Sequence, residues 1–252
     1  VPDAPQTAKR LVPAIERAAL ILDFIAENNT NPGVSALARQ LKLPKSSVHG
    51  ICDTLCELGL LRAVGGGFDM GPGALRWSAA FMRRSSLAGE FNQLLAADNR
   101  LDDYTLTLSA LSGGDVVYLA CRNAAKPLGF TFQLGMRLPA IYTATGKAML
   151  SAMGSQEREQ FLRQHWAEPL TEHSVKDANA FEAQVARWLK QGFALDNGEV
   201  RDGMVCLGAP VLDANGKPVA GIALSMTSAE SKPAVLEQVG AVLVQLAGQL
   251  QY

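Results

Sequence analysis

From Ile15 the apolar residues Ala18, Ala19, Leu22, Ile25 and Ala26 recur at helical spacing, and the run ends in Asn28, Asn29, Thr30, Asn31, Pro32 and Gly33. A second, two-turn helix is expected from Ser35, whose hydroxyl can cap free backbone amides, with Leu37, Ala38 and Leu41 as its apolar face. Lys42, Leu43 and Pro44 then make a tight connection, because proline cannot continue a helix yet is tolerated in the first turn of the next. In that third helix Val48, Ile51, Cys52 and Leu55 stand at i, i+3, i+4 and i+7 and face a core. The other side is polar: Lys45, Ser46, His49, Asp53 and Glu57, with Gly50 among them and Gly59 as the C-terminal cap. Segments 60–63 and 67–70 read as two short strands joined at Val64, Gly65 and Gly66, a small hairpin.

Gly71, Pro72 and Gly73 interrupt the pattern, and 74–87 returns to helix with Leu75, Ala79 and Met82 on one side, followed by a further helical stretch to about Leu101. There the chain changes character. Leu106, Leu108 and Ala110 alternate with Thr105, Thr107 and Ser109, which predicts a half-buried strand. Further strands are expected over 116–121, 128–134, 192–196, 205–212 and 219–225, with Asn215-Gly216 as a hairpin turn. Helices are expected over 146–153, 156–165, 178–191 and 235–250. The fold class is α+β: a mobile arm over 1–12, a winged helix-turn-helix over 13–72, a connector helix over 73–90 and a mixed α/β domain over 91–252.

Three helices followed by a hairpin, with a short turn between the second and third, place the third helix in a DNA major groove and the hairpin along the backbone. A groove about 12 Å wide admits one helix, whose first turn must carry short polar or basic groups. Lys45, Ser46, Ser47 and His49 supply that turn: the lysine for phosphate or guanine, the serines for phosphate oxygens, the histidine for a base edge. Arg17 and Arg62 flank it as phosphate clamps. A protein-binding module made of the same three helices is the alternative that the pattern alone leaves open.

Composition adds little to this. With 48% hydrophobic and 19% charged residues among 252, the chain can fill a core, and its net charge of -1 announces no nucleic acid. The distribution is more telling: residues 1–85 hold ten Lys and Arg against seven Asp and Glu, and the remainder holds thirteen against seventeen. No apolar run approaches the ~18 residues of a membrane span, so a cytoplasmic protein is expected. Cys52, Cys56, Cys121 and Cys206 make no disulfide framework. Catalysis is not expected, because Cys206 or a serine would need a base within reach and His49, His165 and His173 are placed elsewhere; no GxSxG or HExxH occurs. No metal is expected either: His49 and Cys56 lie about 10 Å apart along a helix at ~1.5 Å per residue, too far for one ion. No cofactor is implied.

The runs AIERAALILDFIAEN, LARQLKLPKSSVHGICDTLCELGLL and FDMGPGALR resemble, in order and spacing, the winged-helix signature of the IclR family of bacterial transcriptional regulators. The resemblance continues through LPAIYTATGKAMLSAM (138–153) and GFALDNGEVRDGMVCLGAPVLDANGKPVAGIALSM (192–226), nearly end to end. It implies a double-stranded DNA operator, a GAF-like effector domain that binds small organic or aromatic acids, and a homodimer, with tetramers in some members. By matching position it implies a pocket of Leu138, Ala144, Thr145, Asp196, Cys206 and Ser225. Backbone amides where TATGK enters its helix suit a carboxylate. This chain departs twice. Gly50 stands where the family carries an arginine, which keeps open an interaction protein without DNA binding; Ala223 replaces a hydroxyl residue, which favours an effector with apolar surface, an aromatic acid among them.

Overall fold

The computed structural model describes residues 12–28, 30–84, 86–124, 126 and 128–250, so the expected arm over 1–12 lies, but for Val12, outside the described residues. The chain divides into two compact units, 1–84 and 85–252.

In the amino-terminal unit, α1 (Pro13–Glu27), α2 (Val34–Gln40) and α3 (Lys45–Glu57) precede a hairpin of β1 (Leu61–Val64) and β2 (Gly67–Met70), and α4 (Ala74–Arg84) closes the unit. Ile21, Ile25, Leu37, Val48, Cys52, Leu55, Leu60 and Leu61 form its core, so the inward face expected for α3 is the observed one. Ser35 is not a cap. The N-cap of α2 is Gly33, without a side-chain hydrogen bond, because the helix starts one residue before the serine. Both ends of the helix-turn-helix close in the same way. Leu43 N donates to Ala38 O at 3.0 Å across Lys42 at φ +53°, and Leu60 N donates to Leu55 O at 2.9 Å across Gly59 at φ +70°, the left-handed closure that satisfies a helix's last carbonyls. Gly65 and Gly66, at φ +59° and +82°, give the tight hairpin the twist that its strands need.

The carboxy-terminal unit begins with α5 (Leu87–Ala97), the second of the two helical stretches expected here, which ends at Ala97 and not near Leu101. A six-stranded antiparallel sheet follows: β3 (Thr105–Ser112), β4 (Asp115–Arg122), β5 (Arg137–Pro139), β6 (Ala194–Asn197), β7 (Met204–Leu212) and β8 (Pro218–Thr227), in the order β5-β4-β3-β8-β7-β6. Between β5 and β6 run α6 (Ala144–Ala152), α7 (Ser155–Gln164) and α8 (Ala178–Gln191); α9 (Pro233–Ala247) comes last. The turn at Asn215-Gly216 joins β7 to β8, with the Asp213 carboxylate accepting from the amides of Asn215 and Lys217 at 2.8 Å each.

Two expectations fail here. Segment 128–134 is irregular, not a strand: Leu128, Phe130 and Phe132 still pack inward, but Gly129 and Gly135 at φ +72° and +81° turn the chain out of the extended conformation at both ends. Thr105, Thr107 and Ser109 do not alternate with solvent. They are as buried as Leu106 and Leu108, because α6 packs on that face of the sheet.

Candidate functional site

The first turn of α3 presents Lys45, Ser46 and His49 to solvent, with Ser47 half-buried. Arg17 on α1 donates from Nη1 to Ser47 Oγ at 3.2 Å, which brings that guanidinium to the same turn. His49 Nδ1 lies 2.7 Å from Asp53 Oδ2, one helical turn on. Arg62 on β1 is paired across the hairpin with Asp69, whose carboxyl it holds below the usual carboxylate range. Arg17 thus meets the turn of α3 that carries Lys45, Ser46, Ser47 and His49, while His49 is paired with Asp53 and Arg62 with Asp69. A Cβ on Gly50 would meet nothing within 4 Å, so the position of the family's arginine is open to solvent. Cys52 is fully buried behind this face, and burial pushes its thiol up to about 11, so it packs as a neutral side chain.

The second constellation is a rung across the sheet of the carboxy-terminal unit. Asp196 on β6 faces Cys206 on β7, Cys206 faces Ser225 on β8, and Ser225 faces Thr105 on β3. Cys206 Sγ and Ser225 Oγ are 3.1 Å apart. Above the rung stands the start of α6, where Thr143 Oγ1 caps by accepting from Gly146 N at 3.2 Å, and the amides of Ala144 and Thr145 are first-turn donors that no intrahelical carbonyl can reach. The Thr145 hydroxyl accepts from Ser109 Oγ at 2.7 Å.

Ala144, Thr145, Asp196, Cys206 and Ser225 thus line one cavity, together with Thr107, Tyr118, Phe132, Thr143, Met204 and Ala223. These side chains close around about 10 Å³ of space, the volume of about one water. Leu138 is not in the lining: it sits on β5, paired with Val116 at the edge of the sheet opposite β6, and packs into the apolar core instead. Asp196 is 1% exposed. Its Oδ1 accepts from Glu199 N at 2.7 Å and Val200 N at 3.4 Å, yet burial outweighs these bonds and the nearby Lys147, and raises the carboxyl to about 7.

Sequence reasoning missed the ion pair beneath the cavity. Lys147, 0% exposed, donates to Glu199 Oε1 and, at 3.2 Å, to Leu195 O, and lies 5.5 Å from the centre of the Trp188 ring. Glu199 Oε2 accepts from Val175 N at 2.9 Å. The lysine of TATGK stands where a core residue belongs; that was the available signal, since a buried ammonium requires a buried anion.

The class follows from the first of these units: a winged helix-turn-helix whose recognition helix turns a polar first turn outward is a DNA-binding regulator. The family follows from the whole chain. The model of the IclR helix-turn-helix domain matches residues 14–65 and that of the bacterial transcriptional regulator IclR C-terminal domain matches 80–252. The chain belongs to the IclR family of transcriptional regulators, which are not enzymes. It is similar to the HTH-type transcriptional regulator BhcR of Paracoccus denitrificans, 29% identical over 95% of this chain and 86% of that one. The crystal structure of the Agobacterium tumefaciens repressor BlcR superposes with a TM-score of 0.62 at 40% identity, covering 95% and 96% of the two chains. An IclR homolog from Microbacterium hydrocarbonoxydans, complexed with 4-hydroxybenzoate, shares the fold with a TM-score of 0.73 at 19% identity over 94% and 97%. Among the described residues no helix is long and apolar enough to cross a membrane.

Proposed function

We propose that this regulator controls a catabolic operon in response to a small organic acid with apolar surface, bound in the cavity between α6 and the sheet. The observation that carries the reading is the composition of that cavity: hydroxyls, a thiol, the Asp196 carboxyl and helix-start amides interspersed with Tyr118, Phe132, Val200, Met204 and Ala223. Polar donors in a mostly apolar wall orient an acid while burying its hydrocarbon. The 4-hydroxybenzoate complex of the distant homolog supports an aromatic acid. The cavity must widen to take one, and Phe132, carried by the irregular segment 128–134, is a large wall residue that belongs to no strand or helix. Thermal shift with glyoxylate, pyruvate, benzoate and 4-hydroxybenzoate tests the class of ligand. The expected result is stabilisation by the aromatic acids; stabilisation by glyoxylate alone would refute it.

On DNA, Lys45, Ser46, Ser47, His49, Arg17 and Arg62 are the proposed contacts. Two half-sites require two recognition helices, so the working form is a homodimer. The exposed Ile15 of α1 and Leu75, Trp77 and Phe81 of α4 are apolar surface suited to a second copy. An acid that binds one arrangement of the pair more tightly shifts the population and thereby the DNA affinity. Lys45→Ala is expected to weaken binding to every DNA about equally and to lower the salt slope by about one. Mobility shift with the region upstream of its own gene, from low to high salt, reads both. An unchanged slope removes Lys45 from the interface, and no retardation on any adjacent promoter favours an interaction protein.

A further inference from the structure

The cavity described above holds an imbalance of charge. Asp196 lines it from β6, while Lys147 of α6 and Glu199 of the turn after β6 lie beneath it, and all three are buried. One ammonium therefore stands against two carboxylates. In the Lys147–Glu199 pair, Glu199 Oε2 also takes a backbone amide and Lys147 gives a second bond to a carbonyl. Asp196 accepts two backbone amides on one oxygen, and among the described residues no cation is hydrogen-bonded to it; the nearby Lys147 lowers its carboxyl by less than burial raises it. Other titratable groups facing it are Cys206 on β7 and Tyr118 on β4; burial pushes both well above their ordinary values, so neither contributes a charge.

A second organic carboxylate entering this space would stand beside an ionised Asp196 in a medium where like charges a few ångströms apart repel strongly. We propose that Asp196 recognises the effector as a carboxylic acid, donating its hydroxyl hydrogen to the effector's carboxylate, so that binding an organic acid draws one proton from solution. This rests on the reading of the cavity as an acid site. The proton comes from the solvent and stays on Asp196; no covalent bond of the effector changes. Burial already raises the Asp196 carboxyl to about 7, and a neighbouring carboxylate shifts it further toward the acid. Asp196 is then the residue that makes the regulator respond to acidity as well as to its effector. A more acidic interior strengthens the response to the same concentration of acid.

Calorimetric titration of the full chain with 4-hydroxybenzoate and benzoate, in phosphate and in Tris, tests this. Uptake close to one proton is expected at pH 8, with Kd rising about 30-fold between pH 6 and pH 8.5, as linkage to a group of pKa near 7 requires. Asp196→Asn should abolish both the uptake and the pH dependence. Without ligand, the parent should lose stability as pH rises from about 4, where this carboxyl ionises in the unfolded chain, toward 7, because the folded form holds its proton longer; Asp196→Asn should flatten that slope. Acids that bind without proton uptake overturn the proposal and leave the acid site standing. A ligand-free pH slope that depends on Asp196, with no acid bound at any pH, overturns the acid site and the proposal with it.

Discussion

Lys147→Met is expected to lower the stability of the carboxy-terminal unit by about 3–5 kcal/mol, the usual effect of removing one partner of a buried ion pair. The methionine keeps most of the volume and the contact with the Trp188 ring, so the loss comes from Glu199. That carboxylate, 6% exposed, would retain only the Val175 amide on one oxygen, with no cation to replace Lys147 among its bonded partners. The double variant Lys147→Met, Glu199→Gln removes both charges and should recover much of the loss, since replacing a whole buried pair is often close to neutral. Urea unfolding followed by tryptophan fluorescence reads the change directly, Trp188 lying against the pair. The difference between the double variant and the sum of the singles measures the coupling. A single variant as stable as the parent would mean that Glu199 finds solvent or a proton with no penalty.

The amino-terminal unit was legible in the sequence because each of its signals is local. The i, i+3, i+4, i+7 face of α3, the Pro44 entry and the Gly-Gly hairpin each depend on neighbours only a few residues away. What was misread there, Ser35 as the cap of α2, is a competition between adjacent residues that the preceding Gly33 wins. The carboxy-terminal unit was less legible for the opposite reason. Thr105, Thr107 and Ser109 have the period of a strand with one wet face, and nothing local distinguishes hydroxyls aimed at water from hydroxyls aimed at a helix 36 residues away. Leu128, Phe130, Phe132 and Leu134 likewise have the period of a strand, yet two left-handed glycines make the segment a strap that carries Phe132 to the cavity.

The candidate cavity itself is a matter of register. Asp196, Cys206 and Ser225 come from three strands and meet because β6, β7 and β8 pair with those residues opposite one another. No periodicity encodes that alignment. Resemblance to the family pointed to the three residues jointly, and also to Leu138, which the same sheet order carries to the far edge. Lys147 and Glu199 escaped both routes, being 52 residues apart in sequence and each an ordinary charged residue when read alone.

The cavity also depends on residues that have no side chain at all, and Gly208→Ala is expected to pull it apart. The start of α6 lies directly on the backbone of the sheet: a Cβ at Gly208 would stand 2.1 Å from Ala144 O and 2.8 Å from Thr145 N, and one at Gly221 would stand 2.9 Å from Thr145 Cβ. The obstructing atoms belong to the backbone and cannot rotate aside, so α6 must lift. Lifting it draws Thr145 away from Ser109, the first-turn amides away from the cavity, and Lys147 away from Glu199. Overpacking of this kind destabilises by about 1–3 kcal/mol or more, and the response to acids should vanish in whatever fraction remains folded. Gly89→Ala is the matched control in the same unit: its Cβ would meet nothing within 4 Å on α5, so the same methyl should stabilise by up to about 1 kcal/mol by restricting the unfolded chain. Opposite signs for the two substitutions in urea unfolding separate close approach from the general effect of replacing glycine. Equal signs would mean that α6 is free to rise from the sheet, and that the geometry of the cavity is set by its side chains rather than by backbone resting on backbone.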